Sequence, residues 1–245
     1  MNKDEKATKR LYKNIADFYH NYRTANTSFF NEKIEMPAMI NVLGNLKNKK
    51  ILDWGCGSGL YIKKIKSKCK QIKGFDISPE MVEIAKKLNP KIEIKVGSGT
   101  KIPFREKFDI VYASLSIHYL KDLNPVFKEL KRVVKPNGYF VFSTGNILRK
   151  AAKSIKINGK KYRVLGLRDY FNLKKTKEII EVNGKKRIFF NYVIKPKQVI
   201  QMANKYGFEI VDYEDCKPIP SGKKLDPEHY KIYTKSKCFC KKRLF

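Results

Sequence analysis

Acidic residues are what this chain lacks: 23 Asp and Glu face 54 Lys and Arg across 245 residues, a formal net charge of +31. Histidine, with three copies, and tryptophan, with one, are scarcer still. Five cysteines are scattered without a Cys-x-x-Cys, and the one close pair is Cys238 and Cys240. That usage argues against a zinc ribbon and against a disulfide framework, so no metal site is expected. No apolar run approaches the roughly 20 residues a membrane-spanning helix needs. The opening residues Asn2-Lys3-Asp4-Glu5-Lys6 are charged and lead into no apolar signal region. No membrane partner and a cytoplasmic setting are therefore the expectations. Hydrophobic residues make up 42%, enough for the core of a single α/β domain of this length.

The excess of base is uneven. Residues 1–144 hold 28 Lys and Arg against 14 Asp and Glu, 145–195 hold 15 against 3, and 196–245 hold 11 against 6. A concentrated basic segment suits a polyanion such as RNA. Yet 45 of the 54 basic residues are Lys, a solvated point charge, whereas specific readers of nucleic acid favour Arg. A Lys-rich composition explains the same charge, and both readings stay open. Oligomeric state is not legible.

Periodicity divides the chain. Residues 3–23 space Leu11, Ile15, Phe18, Tyr19 and Tyr22 along one helical stripe, and a second helix is expected near 31–46. Strand and helix patterns then alternate: strands at 50–53, 72–76, 92–96, 108–113 and 139–143, helices at 59–67, 79–88 and 125–134. Such alternation with apolar strands predicts a parallel sheet covered on both faces. Ser78-Pro79-Glu80 and Asn124-Pro125 place a capping residue before a first-turn proline. Lys135-Pro136-Asn137-Gly138 reads as a turn. The rhythm breaks over 145–195, where Asn158-Gly159 and Asn183-Gly184 predict two hairpins. It resumes with a helix at 197–206 and strands at 208–213 and 230–240. The expected whole is one Rossmann-like, doubly wound domain. Its mostly parallel sheet has seven strands, with N-terminal helices (1–48), a core (49–144), an inserted β-rich lid (145–195) and a closing segment (196–245).

One stretch carries chemistry. Residues 51–59 read Ile-Leu-Asp-Trp-Gly-Cys-Gly-Ser-Gly, and Gly74-Phe75-Asp76-Ile77-Ser78 follows. Gly55, Gly57 and Gly59 remove side chains where backbone passes close to a ligand, and they permit positive φ. The helix after them would aim free N–H groups at a ligand carboxylate. Asp76, at a strand end, is placed to accept from ribose hydroxyls. A nicotinamide site is the rival, but its Gly-x-Gly-x-x-Gly fingerprint would need glycine where Leu60 stands. Asp53 would also repel a pyrophosphate.

This Asp53–Gly59 loop with Asp76 resembles the cofactor site of the class I S-adenosylmethionine (SAM) methyltransferases, in their small-molecule branch (type 11 and 25-like). The resemblance implies that Asp53, Gly55, Gly57 and Gly59 hold the methionine end, that Asp76 takes the ribose, and that Ser98 takes the adenine, with Leu115 near the adenine or the methionine arm. It further implies that Cys56, Ile77, Met81, Gly97 and Ser114 belong to the same cofactor site. Ser98 stands where the family usually has an adenine-binding Asp, so an acid restored there is expected to strengthen binding or leave it unchanged. Tyr12-x-x-Ile15-Ala16-x-x-Tyr19-x-x-Tyr22-Arg23 is similar to the family's N-terminal lid helix and makes Tyr19 a candidate beside the methyl group. His118, in the turn after the 108–113 strand, is the candidate general base; packing of that turn explains it equally. The implied reaction is in-line transfer of methyl from SAM. A small molecule is the favoured acceptor, with RNA (tRNA or a cap) or a non-catalytic SAM-fold partner subunit as alternatives. Residues Tyr162, Tyr170, Phe171 and Tyr192 are expected to line the acceptor side.

Overall fold

The computed structural model describes residues 1–25, 28–146, 152–165, 171–182, 184–213, 216–227 and 230. Helix α1 (Lys3–Thr24) starts from a reciprocal cap. The Asn2 side chain accepts from the Glu5 N–H, and the Glu5 carboxylate accepts from the Asn2 N–H, both at 2.9 Å. The expected single helix near 31–46 is two pieces, a π-turn at Asn31–Glu35 and α2 (Met36–Leu43). Pro37 has no N–H to return to the Lys33 carbonyl, which accepts from the Ile219 N–H instead at 2.8 Å.

Five strands form the main sheet: β1 (Lys50–Trp54), β2 (Gln71–Asp76), β3 (Ile94–Val96), β4 (Phe108–Ala113) and β5 (Val134–Phe142). Their order is β3-β2-β1-β4-β5, and every pairing is parallel. Helices α3 (Leu60–Ile65), α4 (Pro79–Leu88) and α5 (Asn124–Val133) lie between them in sequence. Residues alternate across the sheet as strand pleating requires. Leu52, Phe75 and Val111 pack in one buried cluster with α5, while Ile51, Ile72 and Ile110 pack in another with α2, α3 and α4. Both faces being covered explains why these strands read as unbroken apolar runs.

Ser78 caps α4 as expected, accepting from the Met81 N–H at 3.3 Å. Asn124 does not cap α5. Asp122 takes its N–H at 2.9 Å, and the Asn124 side-chain oxygen accepts from Lys205 and Tyr206 on α6 (Pro196–Tyr206). The turn at 135–138 is a bulge inside β5, where the register jumps from Val134 to Tyr139 and Asn137 has φ 60°.

Hairpins β6–β7 (Ala152–Ile157, Lys160–Leu165) and β8–β9 (Lys175–Val182, Lys185–Tyr192) form as the Asn-Gly pairs predict. Asn158 and Gly159 are both left-handed, as a tight hairpin turn demands. The seven-strand expectation is corrected to five among the described residues. Stretch 208–213 follows the left-handed Gly207 cap of α6 and is not a strand. Val211 is 76% and Tyr213 66% exposed. Apart from Tyr230, the expected strand at 230–240 lies outside the described residues, as does Tyr170. No helix among the described residues is long and apolar enough to cross a membrane.

Candidate functional site

Chain order runs outward from β1 to β3 on one side and from β4 to β5 on the other, so the direction of winding reverses between β1 and β4. In open α/β sheets that switch point, outside the strands' carboxyl ends, is where ligands bind. The Trp54–Gly59 loop emerges there. Gly55 and Cys56 both donate to the Phe75 carbonyl at 2.9 Å. Gly57 donates to Asp76 Oδ2 at 2.8 Å, and Ser78 N donates to Asp76 Oδ1 at 2.9 Å. Asp76 thus clasps the loop to the end of β2 through both of its oxygens.

Gly57 has φ 52°, and a Cβ added there would meet no atom within 4 Å, whereas one added at Gly55 would strike Ser116 Cβ at 2.7 Å. Gly55 is therefore held by packing, and Gly57 faces open space. The helix after the loop is shorter than expected. It spans only Leu60–Ile65, passing into a 3₁₀ turn at Lys66–Lys68, so its aligned dipoles offer little field to an anion.

Three carboxylates are buried at this edge. Asp53, 2% exposed, accepts from Tyr112 Oη at 2.7 Å. Its carboxyl is pushed up to about 8, chiefly by burial; the Tyr112 hydrogen bond opposes this, and the charges of Asp76 and Glu35 add to it. Burial also raises the Asp76 carboxyl, against hydrogen bonds from the Ser78 and Gly57 backbone. Glu35, which no sequence motif singles out, closes the π-turn. It accepts from Tyr61 Oη, from Ser114 Oγ at 2.8 Å and from Ser143 Oγ. A buried acid on the otherwise apolar Ile34–Met36–Met39 segment is the signal that could have found it. Such a cluster favours a cationic ligand.

The turn after β3 is held differently from expectation. Ser98 Oγ donates to Glu5, Thr100 Oγ1 donates to the same carboxylate oxygen, and the Thr100 N–H donates to Ser98 Oγ at 3.0 Å. An acid therefore stands at this end of the cleft, supplied by α1 rather than by position 98. Restoring an Asp at 98 would set two carboxylates together, which argues against a harmless or helpful change.

Helix α1 lies along the cleft. Tyr12 Oη pairs with Tyr119 Oη at 2.8 Å, its ring meets Tyr19 edge-on at 5.8 Å, and Tyr19 Oη accepts from Arg23 Nη1 at 3.3 Å. His118 is buried in the short turn Ile117–Tyr119 with its ring 4.9 Å from Tyr119. Ser114 holds Glu35, and Leu115 sits in the left-handed region at φ 48° with its N–H on Ser143 Oγ at 2.9 Å. That strained residue marks the carboxyl end of β4, as strain at ligand sites often does. Cys56 and Met81 are buried; Ile77 and Gly97 are half-buried. From the insert, Tyr192 Oη donates to Asp4 at 2.8 Å and Phe189 packs on Tyr119, so β9 rests on α1 and this turn. Phe171 is 66% exposed.

Residues 52–142 match the model of a methyltransferase domain family. An uncharacterised methyltransferase of Schizosaccharomyces pombe is 35% identical over 102 residues, 36% of each chain. A ubiquinone biosynthesis O-methyltransferase of Pelagibacter ubique is 28% identical over 69% of this chain and 74% of its own. A solved S-adenosylmethionine-dependent methyltransferase of Listeria monocytogenes covers 81% of this chain and 91% of its own with TM-score 0.65 and 22% identity, a likeness of fold. The chain spans 36% of the length of the S. pombe relative and 55% of a Haemophilus influenzae one.

Proposed function

We propose that this chain, whose residues 52–142 match a methyltransferase domain model, binds SAM and transfers its methyl group to a small-molecule acceptor. One observation carries the reading: at the switch point of a parallel sheet, Asp76 holds the Gly57 N–H across a loop of three left-handed glycines. The residues fit the cofactor. Asp76 and Glu35, with Asp53 able to ionise once a cation offsets its burial, suit a ligand bearing a sulfonium and an ammonium. The open space beside Gly57 admits a close-lying ligand.

When bound, SAM supplies a methyl group already activated for in-line displacement. The chain's own work is alignment and exclusion of water. Asp53 and the loop backbone take the methionine end, Asp76 accepts from ribose hydroxyls, and the Gly97–Ser98 turn with Leu115 borders the adenine. The tyrosines of α1 with Tyr119 cover the cleft. Only a protonated acceptor needs a base, and Tyr19 and His118 are the groups proposed for it. The N-terminal helices (1–48) and the 145–195 insert select the acceptor.

The Pelagibacter relative's name supports a small acceptor. RNA is the second reading, favoured by the 15 basic against 3 acidic residues of 145–195. Calorimetry with SAM and S-adenosylhomocysteine tests the cofactor, and a folded protein that binds neither overturns the proposal. Tritium transfer from labelled SAM into a small-metabolite extract, against total RNA, tests the acceptor. Transfer into RNA, with binding that falls steeply as salt rises, replaces the small-molecule reading. Binding without transfer to either pool makes the chain a non-catalytic partner.

A further inference from the structure

Pleating divides the β8–β9 hairpin into two faces. Glu178 and Ile180 of β8 share the inner face with Arg187, Phe189 and Asn191 of β9, and there Phe189 packs on Tyr119 and Asn191 is buried. The outer face carries Ile179 directly opposite Ile188, with Phe190 two residues further along β9. These three side chains are 56%, 52% and 46% exposed. A ribbon with one wet face normally keeps its large apolar residues on the dry side. This one carries them on both, and an exposed apolar row with a polar rim marks an interaction surface.

The rim names the partner. Lys175 and Lys177 stand at one end of the row and Lys186 at the other, all exposed, against one acid, Glu181, which lies opposite Lys186. Charge and apolar surface adjoin: Lys175 Nζ lies 4.4 Å from the centre of the Phe190 ring. A second copy of the chain would bring lysines against lysines under a net charge of +31. RNA would satisfy the lysines, but Ile179 and Ile188 offer its bases no ring to stack on. An anionic bilayer satisfies both at once, with lysines at the phosphates and aliphatic side chains at the acyl boundary.

We infer that the outer face of β8–β9 docks on a membrane surface rich in anionic phospholipid. This is a peripheral contact, not a span, and it departs from the expectation of no membrane partner. It does not depend on the SAM reading. Because the inner face of the same hairpin rests on Tyr119, docking sets the cleft beside the bilayer.

Co-sedimentation with phosphatidylcholine vesicles, with and without phosphatidylglycerol, tests it. Wild type should bind the mixed vesicles, bind them less as salt rises, and bind phosphatidylcholine alone weakly. Lys175→Gln with Lys177→Gln should cost roughly 5-fold per lysine. Lys86→Gln with Lys87→Gln removes the same charge from the exposed end of α4 and should cost far less. Ile179→Thr with Ile188→Thr keeps residues suited to a strand but should weaken binding by roughly 10-fold. Circular dichroism melts report that each variant is folded. Absence of binding to the mixed vesicles overturns the inference. Equal losses from the two lysine pairs would make the binding a matter of bulk charge, and unchanged binding by the threonine pair would take the apolar row out of the contact; either result overturns it. Tight binding of total RNA without vesicle binding would assign the surface to RNA instead. A dimer in analytical ultracentrifugation that the threonine pair splits would make the face an interface between copies and overturn the inference as well.

Discussion

Asp53→Asn is expected to stabilise the ligand-free fold, by an amount that grows with pH. Asp53 is 2% exposed, and its carboxyl is pushed up to about 8, chiefly by burial. In an unfolded chain an aspartate titrates near about 3.9. Between those values the unfolded chain has released its proton and the folded chain still holds it. The stability this group contributes is therefore fully present below about pH 4, falls by about 1.4 kcal/mol per pH unit, and is lost as pH rises through about 8. From pH 5 to 7 the change is on the order of 3 kcal/mol. Asparagine has no such proton to lose, and its amide oxygen can still accept the 2.7 Å hydrogen bond from Tyr112. Urea denaturation of both proteins at pH 5, 6 and 7 reads the comparison, because groups common to both largely cancel. The gap should widen steadily in favour of the variant. A gap that stays constant over that range refutes the account of Asp53 as a carboxyl kept neutral by burial. The variant should also bind SAM less tightly, since an amide replaces the acid that faces the cationic end.

Asp76→Ala should weaken SAM and S-adenosylhomocysteine by roughly 1–3 kcal/mol, the cost of leaving polar groups without their partner; unchanged calorimetric affinity would remove Asp76 from the site. Gly57→Val should keep a folded circular dichroism spectrum but lose SAM binding. Its branched side chain would be forced to φ 52°, at about 1–2 kcal/mol, and would enter the open space beside the loop. Wild-type affinity in that variant would mean the space is not ligand space. Ser98→Asp should lower both melting temperature and SAM affinity, because a second carboxylate would press on Glu5; tighter binding would show that Glu5 moves away when ligand enters.

Local sequence carried much of the fold because its rules are local. Alternating apolar strands and amphipathic helices, the Ser78 cap, the glycine loop and the two Asn-Gly hairpins depend on residues within a few positions of one another. So does Asp76, whose place at a strand end follows from its distance to the loop. The count of strands was not local. Whether 208–213 pairs depends on a neighbour far along the chain, and its own pattern cannot supply one. Likewise, Asn124 reads as a cap from its neighbours but is drawn off by Lys205 and Tyr206, some 80 positions away.

For the site, the sequence by itself determined the backbone cradle: three glycines and two acids whose identities are demanded by φ and by strand-end position. Only the tertiary structure decided which side chains complete it. Glu35 meets Ser114 and Ser143, Glu5 meets Ser98, and Tyr12 meets Tyr119 across separations of roughly 80 to 110 residues. Nothing near Glu5 in sequence distinguishes it from a helix-capping acid, because it is one. Its second role arises from burial. Desolvation makes each buried charge seek a partner, and which partner is in reach is a property of the packed chain alone.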